Sequence, residues 1–396
     1  MSRQRKVVLT GLLSGSLLIS ASLLIFGTSS LQSQTPAKAK THTYYIAADE
    51  VVWDYVPSGK NLIKGQPLGK EESFWVERGP HRVGKVYKKA LYREYTDSTF
   101  TTLKPRPPEW EHLGFLGPLL RAEVGETIRV VFKNNARFPA TLHPHGVFYD
   151  KNSEGALYND GTRGADKADD GVPTGQVHTY VWEVPERAGP MKAGPSSLLW
   201  MYHSHTNEVK DVNSGLVGPM IISARGATKA DGTPKDVDRE FVAAFAEMDE
   251  NSSWYAEENI KAYVSDPKGM KIGTDPFGFP IIIVGNVPER YDFKDTINGF
   301  LYGNTPMMTM QVGERVRWYV MGTTNFEIHA PHWHGNTVEI QGMRTDVGTL
   351  LAMGMFVADM VPDNPGTWFF HCHVGPHLEA VMQALYSVKP KAAAAR

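Results

Sequence analysis

The hydrophobic and polar positions along this chain form short runs separated by turns. Runs rich in β-branched and aromatic residues, such as Ile128 to Phe132 and Arg317 to Val320, are bounded by Gly, Pro and Asn. The spacing of apolar residues shows no long helical period. Repeated short strands of this kind predict an all-β chain, and we expect a Greek-key β-sandwich in each half.

The first forty residues have a different pattern. Arg3, Arg5 and Lys6 precede an apolar run dotted with Ser and Gly, from Val7 to Phe26. A basic start followed by such a run is typical of an export signal, with Ala37 to Ala39 as a weak cleavage site. Because the run is longer than the usual signal core, an uncleaved membrane anchor stays open. We therefore expect a periplasmic or extracellular protein, either released or anchored through residues 1–40.

Three motifs occur twice in the same order, which predicts an internal duplication. The first pair lies 188 positions apart, the second 189 and the third 168. The pairs are Val124-Gly125-Glu126 with Val312-Gly313-Glu314, His143-Pro144-His145-Gly146 with His332-Trp333-His334-Gly335, and Tyr202-His203-Ser204-His205 with Phe370-His371-Cys372-His373.

A polar stretch that contains Gly and Pro, from Ala227 to Asp238, separates the two copies and is typical of a surface linker. We predict an N-terminal export or anchor segment at 1–40, a first domain at 41–228, a linker at 229–239, a second domain at 240–390 and a short tail at 391–396.

Composition narrows the function. The 396 residues contain 41 Lys plus Arg against 43 Asp plus Glu, so a polyanionic partner such as nucleic acid is not expected. The sequence has one cysteine, Cys372, which cannot form a disulfide within the chain. A lone cysteine is usually a small buried apolar residue, but the histidines around this one suggest another role.

The histidines are strongly paired. Random placement of 14 histidines would give about 0.5 His-x-His pairs, whereas the sequence has four. Residues two apart on a strand point to the same face, so each pair presents two imidazoles together. Neutral imidazole suits copper, zinc and iron. The four pairs are His143 and His145, His203 and His205, His332 and His334, and His371 and His373.

The second half adds sulfur ligands to this pattern. Cys372 lies between two histidines, so its thiolate points to the opposite face of the strand from their rings. One thiolate, two histidines and a distant methionine form the ligand set of a blue, type 1 copper, which transfers electrons. We assign that set to His329, Cys372, His377 and Met382. The eight paired histidines remain for a second metal centre.

These motifs, in this order, resemble those of multicopper oxidases. Several segments also resemble sequences of the ceruloplasmin and hephaestin group, for example Val361-Pro362-Asp363-Asn364-Pro365-Gly366. The resemblance implies cupredoxin-like domains, four coppers per chain and reduction of dioxygen to water. It places His143 and His332 on one type 2 copper. It places the type 3 pair on His145, His203, His205, His334, His371 and His373.

Ser204 stands where the duplication predicts a cysteine, so the first domain cannot form a type 1 site. That pattern resembles the two-domain oxidases, in which ligands from domain one of one chain meet those of domain two of the next. The resemblance therefore implies a homotrimer with its three-copper clusters at the subunit interfaces, and a closed head-to-tail ring is physically reasonable.

The resemblance also implies a direction of electron flow. A reductant gives electrons singly at His377, which we expect to be the exposed type 1 ligand, and they pass through Cys372 into His371 and His373. Reduction of dioxygen needs protons, and Glu154 is the expected relay; a surface carboxylate is the alternative. Tyr149 is expected to be a packing residue.

The motifs leave two classes of substrate open. We expect laccase-like oxidation of phenols or similar small reductants, with ferrous or cuprous oxidation as the alternative. Iron needs carboxylates beside the type 1 histidines: Glu327 is a candidate, but Pro376 stands before His377 where ceruloplasmin has an acid. For cuprous ions the candidates are Met307, Met308, Met310, Met353 and Met355, which are better explained as core residues.

Two other classes are less compatible with the motifs. Copper nitrite reductases carry their type 1 site in the first domain and have no type 3 pair, whereas here Ser204 replaces that cysteine and histidines flank Cys372. Non-enzymatic scaffolds built from similar domains need not keep a full ligand set, but this chain has every ligand.

Overall fold

The structure is a computed structural model and describes residues 40–274, 280–284, 287–289, 292–323 and 328–391. All of them belong to one structural unit, Ala39–Arg396. Except for Lys40 and Lys391, the predicted export segment and tail lie outside the described residues, and so does Glu327. None of the helices in the described ranges has the length and apolar character needed to cross a bilayer.

Ten strands form the first half of this unit. They are β1 Thr41–Asp54, β2 Lys60–Asn61, β3 Gln66–Pro67, β4 Val86–Tyr95, β5 Leu120–Glu123, β6 Thr127–Asn134, β7 His143–Pro144, β8 Val177–Glu183, β9 Ser197–His203 and β10 Val217–Ser223. The order in one sheet is β4-β1-β6-β8 and in the other β5-β10-β9-β7, with β2 and β3 as a small separate pair. Short helices connect them: α1 Lys70–Val76, α2 Glu208–Ser214, and 3-10 turns at Pro108–Leu113, Lys151–Ser153, Gly164–Lys167 and Glu186–Ala188.

Thirteen described strands form the second half. They are β11 Arg239–Asp249, β12 Met270–Thr274, β13 Pro280–Val284, β14 Val287–Glu289, β15 Phe293–Ile297, β16 Met308–Gln311, β17 Val316–Gly322, β18 Pro331–Trp333, β19 Val338–Ile340, β20 Met343–Thr345, β21 Met355–Met360, β22 Gly366–Cys372 and β23 Gln383–Lys389. The sheets are β15-β11-β17-β21-β19-β20, β16-β23-β22-β18 and β12-β13-β14. The helices are α3 Ala256–Tyr263 and α4 Gly375–Glu379, with a 3-10 turn at Glu250–Ser252.

The two halves repeat one topology. In the first sheet of each half, the opening strand runs parallel to a strand distant in sequence, β1 to β6 and β11 to β17. In the second sheet of each half, β10 is parallel to β5 and β23 is parallel to β16. In both halves a long connection returns the chain to lie beside an earlier strand, as in a Greek key. The predicted all-β fold of two duplicated Greek-key sandwiches is confirmed.

Strand periodicity explains the core of each sandwich. Along β6, Ile128, Val130 and Phe132 are fully buried, whereas Arg129 and Lys133 point outward. This is the two-residue alternation expected of a strand with one face on a core. In β17 every residue is buried because the strand is packed on both faces. Its Trp318 contributes to the core of the second sandwich and its Tyr319 packs against the first.

A segment without regular strands connects the two sandwiches. The last strand of the first half ends at Ser223, and the first strand of the second half begins at Arg239, which is the last residue of the predicted linker. The domain limits themselves stay a prediction.

Both His-x-His-Gly turns depend on glycine. Gly146 has a φ of +78° and Gly335 a φ of +72°, in the left-handed region that side chains disfavour. A Cβ on Gly146 would lie 2.4 Å from the Trp200 ring, and one on Gly335 would lie 2.4 Å from the Trp368 ring. The tryptophan therefore covers the turn that carries each histidine pair.

Gly335→Ala should destabilise the protein more than left-handed strain alone explains. The strain of an alanine at positive φ costs about 1–2 kcal/mol, and overlap with Trp368 adds about 1–3 kcal/mol. Gly342 is the matched control, because it has a φ of +78° and nothing within 4 Å of its Cβ position. Urea unfolding of the two alanine variants measures the difference; equal losses would show that the tryptophan does not restrict the turn.

Candidate metal centre

The sulfur-containing ligand set converges in the second half. Cys372 Sγ lies 3.4 Å from His377 Nδ1 and 3.9 Å from His329 Nδ1. The two Nδ1 atoms are 3.2 Å apart. Three donor atoms thus point at one small volume, and one of them is a thiol sulfur. This is the donor chemistry that a type 1 copper uses.

Strand pairing produces this convergence. Cys372 ends β22 and is paired with Pro331 of β18, so the residues just before β18 are brought against it. The Ala330 N–H donates to Cys372 Sγ at 3.3 Å. Met382 is fully buried, and its carbonyl accepts from the Cys372 N–H at 3.2 Å. The structure therefore brings all four predicted type 1 residues into one region.

Burial keeps the His329 imidazole neutral. His329 is almost fully buried, and that burial, with His377 beside it, lowers the pKa of His329 to about 3. A neutral imidazole is the form that binds a metal ion. His377 was expected to be the exposed ligand, but it is only 4% exposed. That expectation is wrong, because α4 carries the ring inward and turns its Nε2 towards an acidic side chain.

The four paired histidines of the first half form one cluster, called here the first histidine cluster: His143, His145, His203 and His205. His145 Nε2 lies 3.0 Å from His203 Nε2. The ring centres of His143 and His205 are 5.1 Å apart. β7 pairs with β9, so the two motifs face each other across one sheet.

The second histidine cluster repeats the arrangement with His332, His334, His371 and His373. His334 Nε2 lies 3.0 Å from His371 Nε2, the same distance as in the first cluster. The ring centres of His332 and His373 are 5.2 Å apart. β18 pairs with β22 as β7 pairs with β9.

Backbone carbonyls orient four of the rings. The Nδ1 atoms of His203 and His371 face the carbonyls of Ser204 and Cys372, at 3.1 and 2.8 Å. In the same way His143 contacts Glu154 O at 2.7 Å and His332 contacts Asp346 O at 3.0 Å. With the Nδ1 proton donated to a carbonyl, each ring presents the Nε2 lone pair to the cluster.

The pKa values agree with a metal-binding role. Burial lowers the pKa of His145 and that of His371 to about 4, with the neighbouring histidines adding to the effect. Burial also lowers the pKa of His203. Neutral rings whose Nε2 atoms lie 3.0 Å apart are stabilised by a cation between them, so these residues fit a bound metal ion.

The two clusters do not meet within the chain. Over the part of the chain that the structure describes, no hydrogen bond or ring contact joins a histidine of one cluster to a histidine of the other. Each cluster is partly open: the His205 side chain is 36% exposed, and His373 is exposed. Each is therefore half of the eight-histidine set that the sequence predicts.

Glu154 lies beside the first histidine cluster, but its carboxylate is already bonded. Lys151 Nζ donates to it at 2.5 Å and the Tyr158 hydroxyl at 3.0 Å. Its carbonyl is the group that orients His143. Its role as a proton relay stays a prediction. Tyr149 packs edge-on against His143, with ring centres 6.0 Å apart.

Two acids that were not predicted from the sequence, Glu247 and Asp295, lie beside the type 1 residues. Glu247 Oε2 is 3.9 Å from His377 Nε2. Glu247 of β11 is paired with Asp295 of β15, and the ligand atoms of these acids and His377 all lie within 4.8 Å of one another. We call Glu247, Asp295 and His377 the acidic site. The pairing of β11 with β15, 48 residues apart at this point, creates it, and no local motif marks it.

Comparison with known proteins decides the family. Models described as "Multicopper oxidase" match residues 113–227 and 283–392, which contain all the predicted copper ligands. The chain belongs to the multicopper oxidase family. Copper is therefore the metal implied for the histidines and Cys372, and it supplies one-electron redox chemistry and activation of dioxygen when bound.

Curated relatives of this multicopper oxidase include three human proteins. It is 45% identical to "Ferroxidase HEPHL1" over 352 residues, 41% to hephaestin over 354 and 38% to ceruloplasmin over 370. These alignments cover 88%, 88% and 93% of the chain but only 29%, 29% and 33% of the relatives. The chain thus spans about a third of the length of the curated relatives it matches.

Solved structures show the same fold at low sequence identity. The blue copper oxidase from Nitrosomonas europaea aligns with a TM-score of 0.54 and 16% identity, covering 89% of this chain and 86% of the other. The multicopper oxidase mgLAC aligns with a TM-score of 0.55 and 17% identity, covering 90% and 88%. These similarities support the architecture of cupredoxin-like domains.

Cys372→Ser should remove one copper per chain and leave the histidine-bound copper in place. The intense visible absorption of a thiolate-bound copper should disappear, because a hydroxyl does not replace the sulfur as a ligand at neutral pH. Copper analysis and absorption spectra of the reconstituted variant check this. Ser387→Ala, in the neighbouring strand β23, is the control. Unchanged visible absorption in Cys372→Ser would contradict the assignment.

Proposed function

We propose that this multicopper oxidase is a ferroxidase, which takes electrons from ferrous ions and passes them to dioxygen. The observation that carries the proposal is the acidic site, where Glu247 Oε2 lies 3.9 Å from His377 Nε2 and the ligand atoms of Glu247, Asp295 and His377 lie within 4.8 Å of one another. The laccase-like oxidation expected from the motifs becomes the second interpretation. The name of the human relative "Ferroxidase HEPHL1" supports the same choice.

The chemistry of the acidic site favours ferrous over cuprous ions. Carboxylate oxygens attract divalent cations by charge, whereas cuprous ion prefers thiolate and thioether sulfur. Of the methionines considered for a cuprous site, Met308 and Met310 are buried in the core of the second sandwich. Glu247 is half-buried, so its interaction with a bound cation is less screened than that of a surface carboxylate.

The His377 imidazole links the acidic site to the type 1 residues. Its Nε2 faces Glu247 Oε2, while its Nδ1 lies 3.4 Å from Cys372 Sγ. A ferrous ion held by the carboxylates would therefore be one imidazole ring away from the thiolate. His371 and His373, covalent neighbours of Cys372, belong to the second histidine cluster, so the connection onward is short.

Glu247→Gln should weaken ferrous oxidation selectively. Loss of one charged ligand interaction of about 1.5–3 kcal/mol should raise KM for ferrous ion about 10–150-fold. Oxidation of an aromatic amine, which does not need the carboxylate, should change little. Steady-state oxygen uptake with each reductant gives the comparison. Asp295→Asn should behave in the same way.

Glu257→Gln removes an exposed acid of the same domain and serves as the control for charge. Equal losses for ferrous ion and aromatic amine in Glu247→Gln would point to damage at His377 rather than to an iron site. Unchanged ferrous kinetics in both acid variants would contradict the ferroxidase proposal. High phenol turnover with no iron dependence would favour the laccase-like interpretation.

We further propose that the first histidine cluster of one chain meets the second cluster of another. Each cluster supplies four imidazoles and is open to solvent, and eight are required for one type 2 and two type 3 coppers. With the type 1 copper, the proposed content is four coppers per chain. Head-to-tail contacts of this kind close into a ring, and three chains is the number we propose.

Mixing two inactive variants tests this assembly. A chain with His143→Ala and His145→Ala lacks part of the first cluster, and a chain with His371→Ala and His373→Ala lacks part of the second. Refolded together, they should regain activity, because some interfaces then combine two intact clusters. The separate variants, refolded alone, are the control. No recovery in a mixed ring of confirmed mass would contradict sharing between chains.

We also propose that the protein is exported, on the basis of the basic and apolar pattern of residues 1–40. Sequencing the amino terminus of the protein recovered from outside the cytoplasm distinguishes a cleaved signal from a retained anchor.

A further inference from the structure

The first sandwich carries a buried carboxylate where the second carries its type 1 residues. Ser204 matches Cys372 in the duplication, and its hydroxyl donates to Asp211 Oδ2 at 2.7 Å. Asp211 belongs to α2, which follows the motif as α4 follows Cys372, and it is fully buried. A carboxylate thus contacts the serine oxygen in one half, as His377 contacts the cysteine sulfur in the other.

Four donors hold this carboxylate. In addition to the Ser204 hydroxyl, the backbone N–H groups of Thr206 and Asn207 donate to Oδ2, both at 3.0 Å. The indole N–H of Trp254 donates to Oδ1 at 2.7 Å. Both carboxylate oxygens are therefore hydrogen-bonded, which is what a buried charge requires. Asp211 thus holds the residues on both sides of His205, Ser204 before it and Thr206 after it.

The network continues to His143, on the other motif of the first histidine cluster. Ser204 Oγ accepts from the Thr141 N–H at 3.0 Å. Thr141 Oγ1 accepts from the His205 N–H at 2.9 Å and donates to the Gly155 carbonyl at 2.6 Å. The carbonyl one residue earlier, that of Glu154, accepts from His143 Nδ1. The segments that carry His143, His203 and His205 are thus tied to one another through Ser204 and Thr141.

The second sandwich confirms that these positions correspond. The Ala330 N–H donates to Cys372 Sγ, and Ala330 lies 189 positions after Thr141, whose N–H donates to Ser204 Oγ. The same backbone contact is therefore present in both halves. The two halves differ in the side chains that contact this oxygen or sulfur. They are His329 and His377 in the second half and Asp211 in the first.

We propose that Asp211 is a positioning residue for copper binding by the first histidine cluster. It occupies the place of the missing type 1 ligands and, through Ser204, Thr206 and Asn207, fixes the backbone from which His203 and His205 project. Its Oδ2 atom serves this role, whereas its Oδ1 atom holds Trp254 of the second half. This inference rests on copper binding by the histidines and does not depend on the choice of reductant.

The test is the Asp211→Asn variant, studied with and without copper. In the copper-free protein, amide hydrogen exchange at Thr206 and Asn207 should speed up, because an amide oxygen is a weaker acceptor than a carboxylate. After reconstitution, the affinity for type 2 and type 3 copper should fall about 10–100-fold, the usual effect of losing an outer-shell partner. The type 2 electron paramagnetic resonance signal should change, while the Cys372 visible absorption stays as in the parent.

Two further variants separate positioning from general stability. Trp254→Phe removes the Oδ1 bond while keeping an aromatic ring against Phe138, and it should leave both copper signals unchanged. Ser204→Ala removes the link from Oδ2 to Thr141 and should reproduce the loss of type 2 and type 3 copper, which keeps the proposal testable if Asp211→Asn folds poorly. Parent-like type 2 signals in Asp211→Asn and Ser204→Ala would overturn the proposal. A parallel loss of type 1 absorption in both variants would also overturn it, since that result indicates a merely structural role.

Discussion

The pairing of β18 with β22 is the interaction on which the rest of the metal chemistry depends. Antiparallel register sets His332 opposite His371 and Pro331 opposite Cys372. Because side chains alternate along a strand, the histidine rings and the thiol are directed to opposite faces. One short segment can then serve two metal centres at once, and the covalent backbone between Cys372 and its neighbouring histidines connects them.

The first sandwich uses the same pairing with a different outcome. β7 sets His143 opposite His203, but Ser204 stands where a sulfur would be needed. The first sandwich has the same histidine face as the second, but the opposite face of its strand carries a hydrogen-bonded carboxylate, Asp211, in place of the type 1 residues. A duplicated fold can thus specialise by changing the residues on one face of a strand, since the other face is shaped by separate side chains.

Much of this could be predicted from the sequence because the decisive features are local or repeated. The His-x-His pairs lie two residues apart and Cys372 lies between two of them, so strand periodicity alone gives their faces. Glu247 and Asp295 could not be found in this way, because only the pairing of two strands distant in sequence places them together. The prediction that His377 is exposed was wrong for the same reason. The burial of its ring depends on tertiary packing, which its spacing from Cys372 does not indicate.

The central claim is that imidazoles from both halves and the single thiolate gather copper at two kinds of site. Anomalous diffraction at the copper edge from crystals of the copper-loaded protein tests it directly. We predict one copper between His329, Cys372 and His377 of a single chain, and three coppers between the first histidine cluster of one chain and the second cluster of its neighbour. Copper absent from Cys372, or confined to histidine clusters that remain separate, would contradict this account.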